Sequence, residues 1–123
     1  MFSFKRKIGN QAEQLALDHL IAHGLSLIEQ NYLARFGEID IIMLDEVEKV
    51  LVFVEVRYRK NTVFGAATDT VDHAKQLKII RTAQYYLQQH AEFEEYICRF
   101  DVVGLESDLK YPKITWIKDA FEA

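Results

Sequence analysis

A chain of 123 residues, half of them hydrophobic and 28% charged, is long enough to bury a core and reads as one globular domain. No apolar run approaches the roughly 20 residues of a membrane span, Met1–Lys7 lacks the apolar core and cleavage signature of a signal peptide, and a single cysteine, Cys98, excludes an internal disulfide. These features point to the cytoplasm and to no membrane partner. The net charge of −4 argues mildly against nucleic acid, but its distribution softens this: residues 1–81 hold eleven charges of each sign, and residues 82–123 hold four basic against eight acidic ones. A local basic surface from Lys5, Arg6, Lys7, Arg35, Arg57, Arg59 and Lys60 is compatible with that balance, as is ordinary solvated charge.

In chain order, Asn10 to about His23 carries Ala12, Leu15, Ala16, His19, Leu20 and His23 at helical spacing. Asn10 followed by Glu13 fits a capping-box start, and Gly24 a stop. Leu25–Leu33 reads as a strand. Gly37–Leu44 and Val50–Arg59 read as two more, joined by the acidic turn Asp45–Lys49. Strict alternation places Ile39, Ile41 and Met43 on one face, with Glu38, Asp40, Ile42 and Leu44 on the other. In the next strand Val50, Val52, Val54 and Val56 oppose Leu51, Phe53, Glu55, Arg57 and Arg59. Both strands are apolar on both faces at one end, so both are expected in the sheet interior.

Asn61–Asp69 reads as a loop with small residues at Gly65–Ala67. Thr70 is placed to cap a second helix running to about Gln89, with Gln76, Ile79, Ile80, Ala83, Tyr86 and Leu87 inward and Lys78, Arg81 and Tyr85 on the solvated flank. Tyr96–Leu105 is a further strand, with Ile97, Val102 and Val103 as core candidates and Cys98 more suited to core than to nucleophile. After a turn at Leu109–Pro112 comes a short last strand, Ile114–Ile117. The order αβββαβ predicts an antiparallel three-strand meander and a right-handed crossover to a parallel partner, making a mixed sheet flanked by helices.

The two central strands carry ionisable groups at one end: Glu38 and Asp40, then Glu55 and Arg57. A buried carboxylate is costly unless paired or holding a metal. Asp40 and Glu55, with the backbone carbonyl of Val56, are a natural set for Mg²⁺ or Mn²⁺, which favour oxygen ligands plus water and phosphate. An internal ion pair of Asp40 or Glu55 with Arg57 explains the same spacing equally well.

Gly37-Glu38-Ile39-Asp40 followed by Phe53-Val54-Glu55-Val56-Arg57 resembles the bipartite motif of the PD-(D/E)XK nucleases, a restriction endonuclease-like superfamily that includes Holliday junction resolvases. More closely, the chain resembles the YraN-like family of uncharacterised bacterial proteins. The resemblance is carried by Gly9-Asn10-Gln11-Ala12-Glu13, Gly37–Asp40, Val52–Arg57, Lys75-Gln76 and Arg99-Phe100-Asp101-Val102-Val103, over about residues 9–105. It implies a single restriction endonuclease-like domain over 1–123, its core at about 9–105 and a short strand and tail after it.

The resemblance also implies roles. Asp40 and Glu55 match the superfamily's metal-binding acids, and Glu13 matches an additional acid of resolvase-like members, against its reading as a cap. Glu38 is either a supporting ligand or solvated. Gln76 matches a helix residue that supports the site, against a hydrogen-bonded helix-end residue. Arg59, Lys60, Lys75 and Gln76 are substrate-binding candidates, and Asp101 is placed to pair with Arg57 or Arg59. Arg57 stands where the superfamily has lysine. Arginine cannot act as a base but can clamp a phosphate, and His73, Lys75 or Lys60 can take over the lysine's place. The expected activity is metal-dependent hydrolysis of DNA, branched or damaged DNA included, with a homodimer expected by analogy. The alternatives are a nucleic-acid-binding module with little catalysis, and a protein-interaction domain whose charges form a structural network.

Overall fold

A computed structural model of the chain describes residues 4–123, with side chains from residue 8 onward. The basic candidates Lys5, Arg6 and Lys7, and the reading of the leader, lie outside the described side chains. The elements are α1 (Phe4–Ala22), β1 (Ser26–Ala34), β2 (Gly37–Asp45), β3 (Val50–Arg59), a 3-10 turn (Ala67–Thr70), α2 (His73–Gln89), a second 3-10 turn (Ala91–Phe93), β4 (Ile97–Glu106) and β5 (Lys113–Phe121). The five strands lie in sequence order in one sheet. The pairs β1–β2, β2–β3 and β4–β5 are antiparallel, and β3–β4 is parallel from Val50↔Ile97 to Arg59↔Glu106. The expected mixed sheet is present, and the architecture is consistent with a restriction endonuclease-like αβββαβ core.

One helix covers each face. Ala12, Ala16, Leu17 and Leu20 of α1 pack on Ile41, Met43, Val52, Val54, Val103 and Leu105. The two alanines let the helix backbone approach the sheet closely. On the opposite face Ile79, Ala83 and Tyr86 of α2 pack on Ile39, Ile42, Leu44, Leu51, Phe53, Phe100 and Val102. Two glycines allow close approaches. At Gly37 (φ +154°) a Cβ would stand 3.3 Å from Thr82 Oγ1, so α2 sits against the start of β2. At Gly104 a Cβ would stand 2.7 Å from Thr68 Cγ2, so the 3-10 turn lies directly on β4.

Several expectations are corrected. Helix α1 begins at Phe4, six residues before Asn10, so Asn10 is inside the helix and does not cap it with Glu13. Asp72, not Thr70, caps α2: its Oδ1 accepts the Lys75 N–H at 2.8 Å. Thr70 instead closes the preceding turn, its hydroxyl donating to Ala67 O. Ile97 is exposed, and β5 is nine residues long.

Strict alternation also fails at one point in β2. Ile39 packs with Ile42 and Leu44 on the α2 face, whereas Ile41 and Met43 face α1. The strand turns over between Ile39 and Ile41, at Asp40. Alternation along β3 follows expectation.

Candidate functional site

The inversion in β2 coincides with a split in the sheet. The register of β2 with β3 ends at Ile41↔Val54, while β1 stays paired to β2 as far as Gly37. Beyond that point β3 has lost its neighbour on that side, and its backbone groups need other partners. Asp40 supplies one: its Oδ2 accepts the Val56 N–H at 2.8 Å. In an extended strand the N–H and C=O of one residue point to the same edge, so the Val56 carbonyl faces the same gap.

Acidic side chains converge on this gap from three elements. Glu13 (α1), Glu38 and Asp40 (β2) and Val56 (β3) line one cavity of about 280 Å³. Glu55 lies beside Asp40 from the other face of β3, close enough for each carboxyl to act on the protonation of the other. Glu55 is 5% exposed. Burial, then the charge of Asp40, pushes its pKa up to about 8, against the opposing pull of Lys75 and Arg57. Burial also raises Asp40, opposed by the Val56 N–H. Glu13 is pushed up to about 7 by burial and by the charges of Asp40 and Glu38, opposed by Gln30, whose amide is 3.5 Å away. Glu38 is raised by burial and by Asp40. At an effective dielectric near 20, two like charges about 4 Å apart repel by about 4 kcal/mol. The cluster therefore favours taking up protons or a cation.

Cations flank the acids on the α2 side. Arg57 Nε lies 3.5 Å and Lys75 Nζ 3.9 Å from Glu55 Oε1. The Arg57 contact is not a hydrogen bond. Among the described residues Arg57 Nε is a buried donor with no acceptor. A buried unsatisfied donor costs about 1–3 kcal/mol, and an anion such as phosphate entering the gap would satisfy it. Lys75 stands next to Glu55 although it comes from α2, twenty positions along the chain from it. Arg59 follows Arg57 on the same strand face, half-buried, and Lys60 is exposed at the strand end.

The donor set suits a hard divalent ion. Such ions take one or two carboxylates and complete their shell with water and substrate oxygens. Asp40, Glu55 and the Val56 carbonyl meet that requirement, with Glu13 across the cavity. Among the described residues no three His, Cys, Asp or Glu side chains stand together as an all-side-chain cage.

Two sequence candidates are held elsewhere. Gln76 donates to Val71 O at 3.2 Å, the bond of a polar residue at a helix start. Asp101 pairs with neither Arg57 nor Arg59. It is 0% exposed and receives two bonds from Arg99 (2.9 and 3.0 Å), one from Trp116 Nε1 (2.8 Å) and one from the Asp119 N–H (3.0 Å). The register of β4 with β5 shifts beside it, between Phe100 and Val102, and Asp119 there has φ +54°. Asp101 is therefore the clasp of an irregular edge strand. Cys98 is half-buried and its thiol is pushed up by burial, which suits packing rather than nucleophilic attack.

A five-stranded mixed sheet between two helices, split beside a pair of adjacent carboxylates, defines the structural class. Within it the family is clear. The model of "Uncharacterised protein family UPF0102" matches residues 12–105. The chain is 46% identical over 115 residues to the UPF0102 protein of Stutzerimonas stutzeri, covering 94% of each chain. It is 49% identical over 116 residues to that of Nitrosococcus oceani, covering 94% of this chain and 92% of that one. To that of Coxiella burnetii it is 46% identical over 122 residues, covering 99% and 98%. The chain belongs to the UPF0102, or YraN, family. No helix among the described residues is long and apolar enough to cross a membrane.

Proposed function

We propose that the protein is a DNA-binding, metal-dependent endonuclease that hydrolyses phosphodiester bonds at the β2–β3 split, with branched or damaged DNA as its expected substrates. The observation that carries this reading is the placing of Asp40, fixed by the Val56 N–H at the split, beside the buried Glu55 and a buried Arg57 Nε that has no acceptor among the described residues. A purely structural ion network would not leave that donor unspent.

Asp40 and Glu55 would hold Mg²⁺ or Mn²⁺, with Val56 offering its carbonyl and Glu13 a supporting charge. When bound, the ion supplies Lewis-acid polarisation of the phosphate and a more acidic water. The chain's own groups do the rest. Arg57 turns its fork from Glu55 to a non-bridging phosphate oxygen and stabilises the charge that develops there. Lys75 takes the place beside Glu55 that a lysine two residues after it would occupy in the superfamily motif. Arg59 and Lys60 hold the flanking backbone.

The test is cleavage of labelled single-stranded, duplex, flap and four-way DNA in Mg²⁺ or Mn²⁺. The parent protein should cut at least one of them, and Asp40→Asn none. Activity that persists at the parent's level in Asp40→Asn would refute the assignment.

A further inference from the structure

A second feature lies on the α2 face, outside the carboxylate site. The β1–β2 turn and the middle of α2 enclose a cleft of about 620 Å³, within the size range of small-ligand pockets. Its lining includes two guanidiniums (Arg35, Arg81), two amides (Gln84, Gln88) and two aromatic rings (Phe36, Tyr85), and no carboxylate lines it. Arg81 lies over the Phe36 ring, its Cζ 4.3 Å from the ring centroid. That cation–π contact holds the guanidinium at the cleft wall, which both residues line. Tyr85 is 40% exposed.

Rings and a guanidinium plane are surfaces on which bases stack, and side-chain amides pair with base edges. A base within a duplex offers neither its faces nor its pairing edge. The lining therefore fits an unpaired nucleotide.

Helix α2 joins the cleft to the carboxylates. Lys75 Nζ lies 3.9 Å from Glu55 at one end, Arg81 rests on Phe36 at the other, and exposed Lys78 lies between. The three cations recur at every third residue, over a rise of about 9 Å. The contact of Thr82 with Gly37 fixes the helix against β2, and Gly37, next to Phe36, lies about 10 Å along β2 from Asp40. We propose that the cleft holds an unpaired base of a single DNA strand, and that Lys75, Lys78 and Arg81 carry the phosphates of that strand to the carboxylate site. The proposal deepens the nuclease reading and rests on it for the role of Lys75.

Binding without cleavage tests it. A short fluorescein-labelled thymidine oligonucleotide and a hairpin duplex closed by a non-nucleotide linker, which holds no unpaired base, are titrated by anisotropy in EDTA, against the parent, Tyr85→Ala and Arg81→Gln. Thermal melts confirm folding, which substitution at the exposed Tyr85 and Arg81 should preserve. The parent should bind the single strand more tightly than the hairpin. Tyr85→Ala and Arg81→Gln should each weaken single-strand binding about tenfold, and Tyr85→Ala should leave hairpin binding unchanged. Tyr85→Ala binding the oligonucleotide like the parent, an equal loss for the hairpin, or a parent that prefers duplex would overturn the proposal. If the cleft behaves as expected but the metal response is absent, the nuclease reading fails alone. If metal response and cleavage are normal while Tyr85→Ala binds normally, the cleft fails alone.

Discussion

Asp40 accepts the Val56 N–H at 2.8 Å across the gap where β2 and β3 part. A side chain thus satisfies a backbone group that the neighbouring strand has abandoned, and the split sheet keeps its hydrogen bonding while opening to solvent. The same bond fixes the carboxylate that lies against Glu55.

The first prediction follows from the burial of Glu55 beside Asp40, which pushes its pKa up. Glu55 titrates at about 8 in the folded protein, against 4.5 as a free side chain. The folded state therefore binds more protons than the unfolded state across that window. Stability should fall as pH rises from about 4.5 to about 8, with Glu13 adding to the slope up to about 7. Glu55→Gln should flatten the slope and stabilise the metal-free protein at pH 8 by about 2 kcal/mol. Urea melts of both proteins at pH 5 and pH 8 would check this. A loss of stability in the variant at pH 8 would favour a structural ion pair.

Asp101 should behave in the opposite way. It pairs with Arg99 and holds Trp116 and the Asp119 backbone from a fully buried position. Asp101→Ala strips all four bonds and leaves Arg99 unpaired. The expected cost is about 3–5 kcal/mol, with a change in Trp116 fluorescence. Metal binding in the folded fraction should be untouched.

These two acids show what the sequence reveals and what it hides. Strand and helix order, the parallel β3–β4 pair and the alternation of Val50–Arg59 were legible because they rest on local periodicity. The neighbourhood of Asp40 and Glu55 was legible because charge in an otherwise apolar strand stands out. The inversion at Asp40 was not, since it depends on where β2 leaves β3, and the pattern IDII fits either face. The charged partner of Asp101 is Arg99, two residues before it on β4 and overlooked in favour of β3, while Trp116 and Asp119 reach it through a register shift on β5 that no local signal marks. Asn10 and Glu13 matched a cap by spacing, yet helical propensity upstream carries α1 back to Phe4 and frees Glu13 for the cavity. The Phe36–Arg81 cleft joins segments nearly fifty residues apart, which no motif connects.

The stretch from Asn61 to Asp69, which reads in the sequence as a single loop, should divide in hydrogen exchange. Val63 and Phe64 are exposed, and the bonds around them lie within short solvated turns. Ala67 is buried, and its N–H donates to Glu106 Oε2 at 2.7 Å. Amides 62–65 should exchange rapidly and that of Ala67 slowly. Equal protection across the segment would contradict this.

Gly104→Ala probes the anchor of the same segment. Its Cβ would meet Thr68 Cγ2 at 2.7 Å and Thr68 N at 3.3 Å. The backbone atom has little freedom to move. A cost of about 1–3 kcal/mol is expected, with faster exchange at Ala67. A melt matching the parent would show that the turn yields freely.

Arg57→Lys separates a phosphate clamp from a missing base. Lysine keeps the charge but loses the fork, and Lys75 already stands at Glu55. The variant should bind DNA several-fold more weakly and cleave no faster than the parent, as measured by anisotropy and single-turnover assays. A several-fold faster cut with intact binding would make lysine, not a clamp, the limiting feature.

The most direct test of the central assignment is thermal melting during titration with Mn²⁺ at pH 8, in the parent and in Asp40→Asn. Ions that bind only the folded state raise Tm progressively with concentration. The parent should show a saturable rise, repeated with Mg²⁺ at higher concentration, and Asp40→Asn should show none. An unchanged parent melt, or an equal rise in Asp40→Asn, would contradict a metal site at the β2–β3 split.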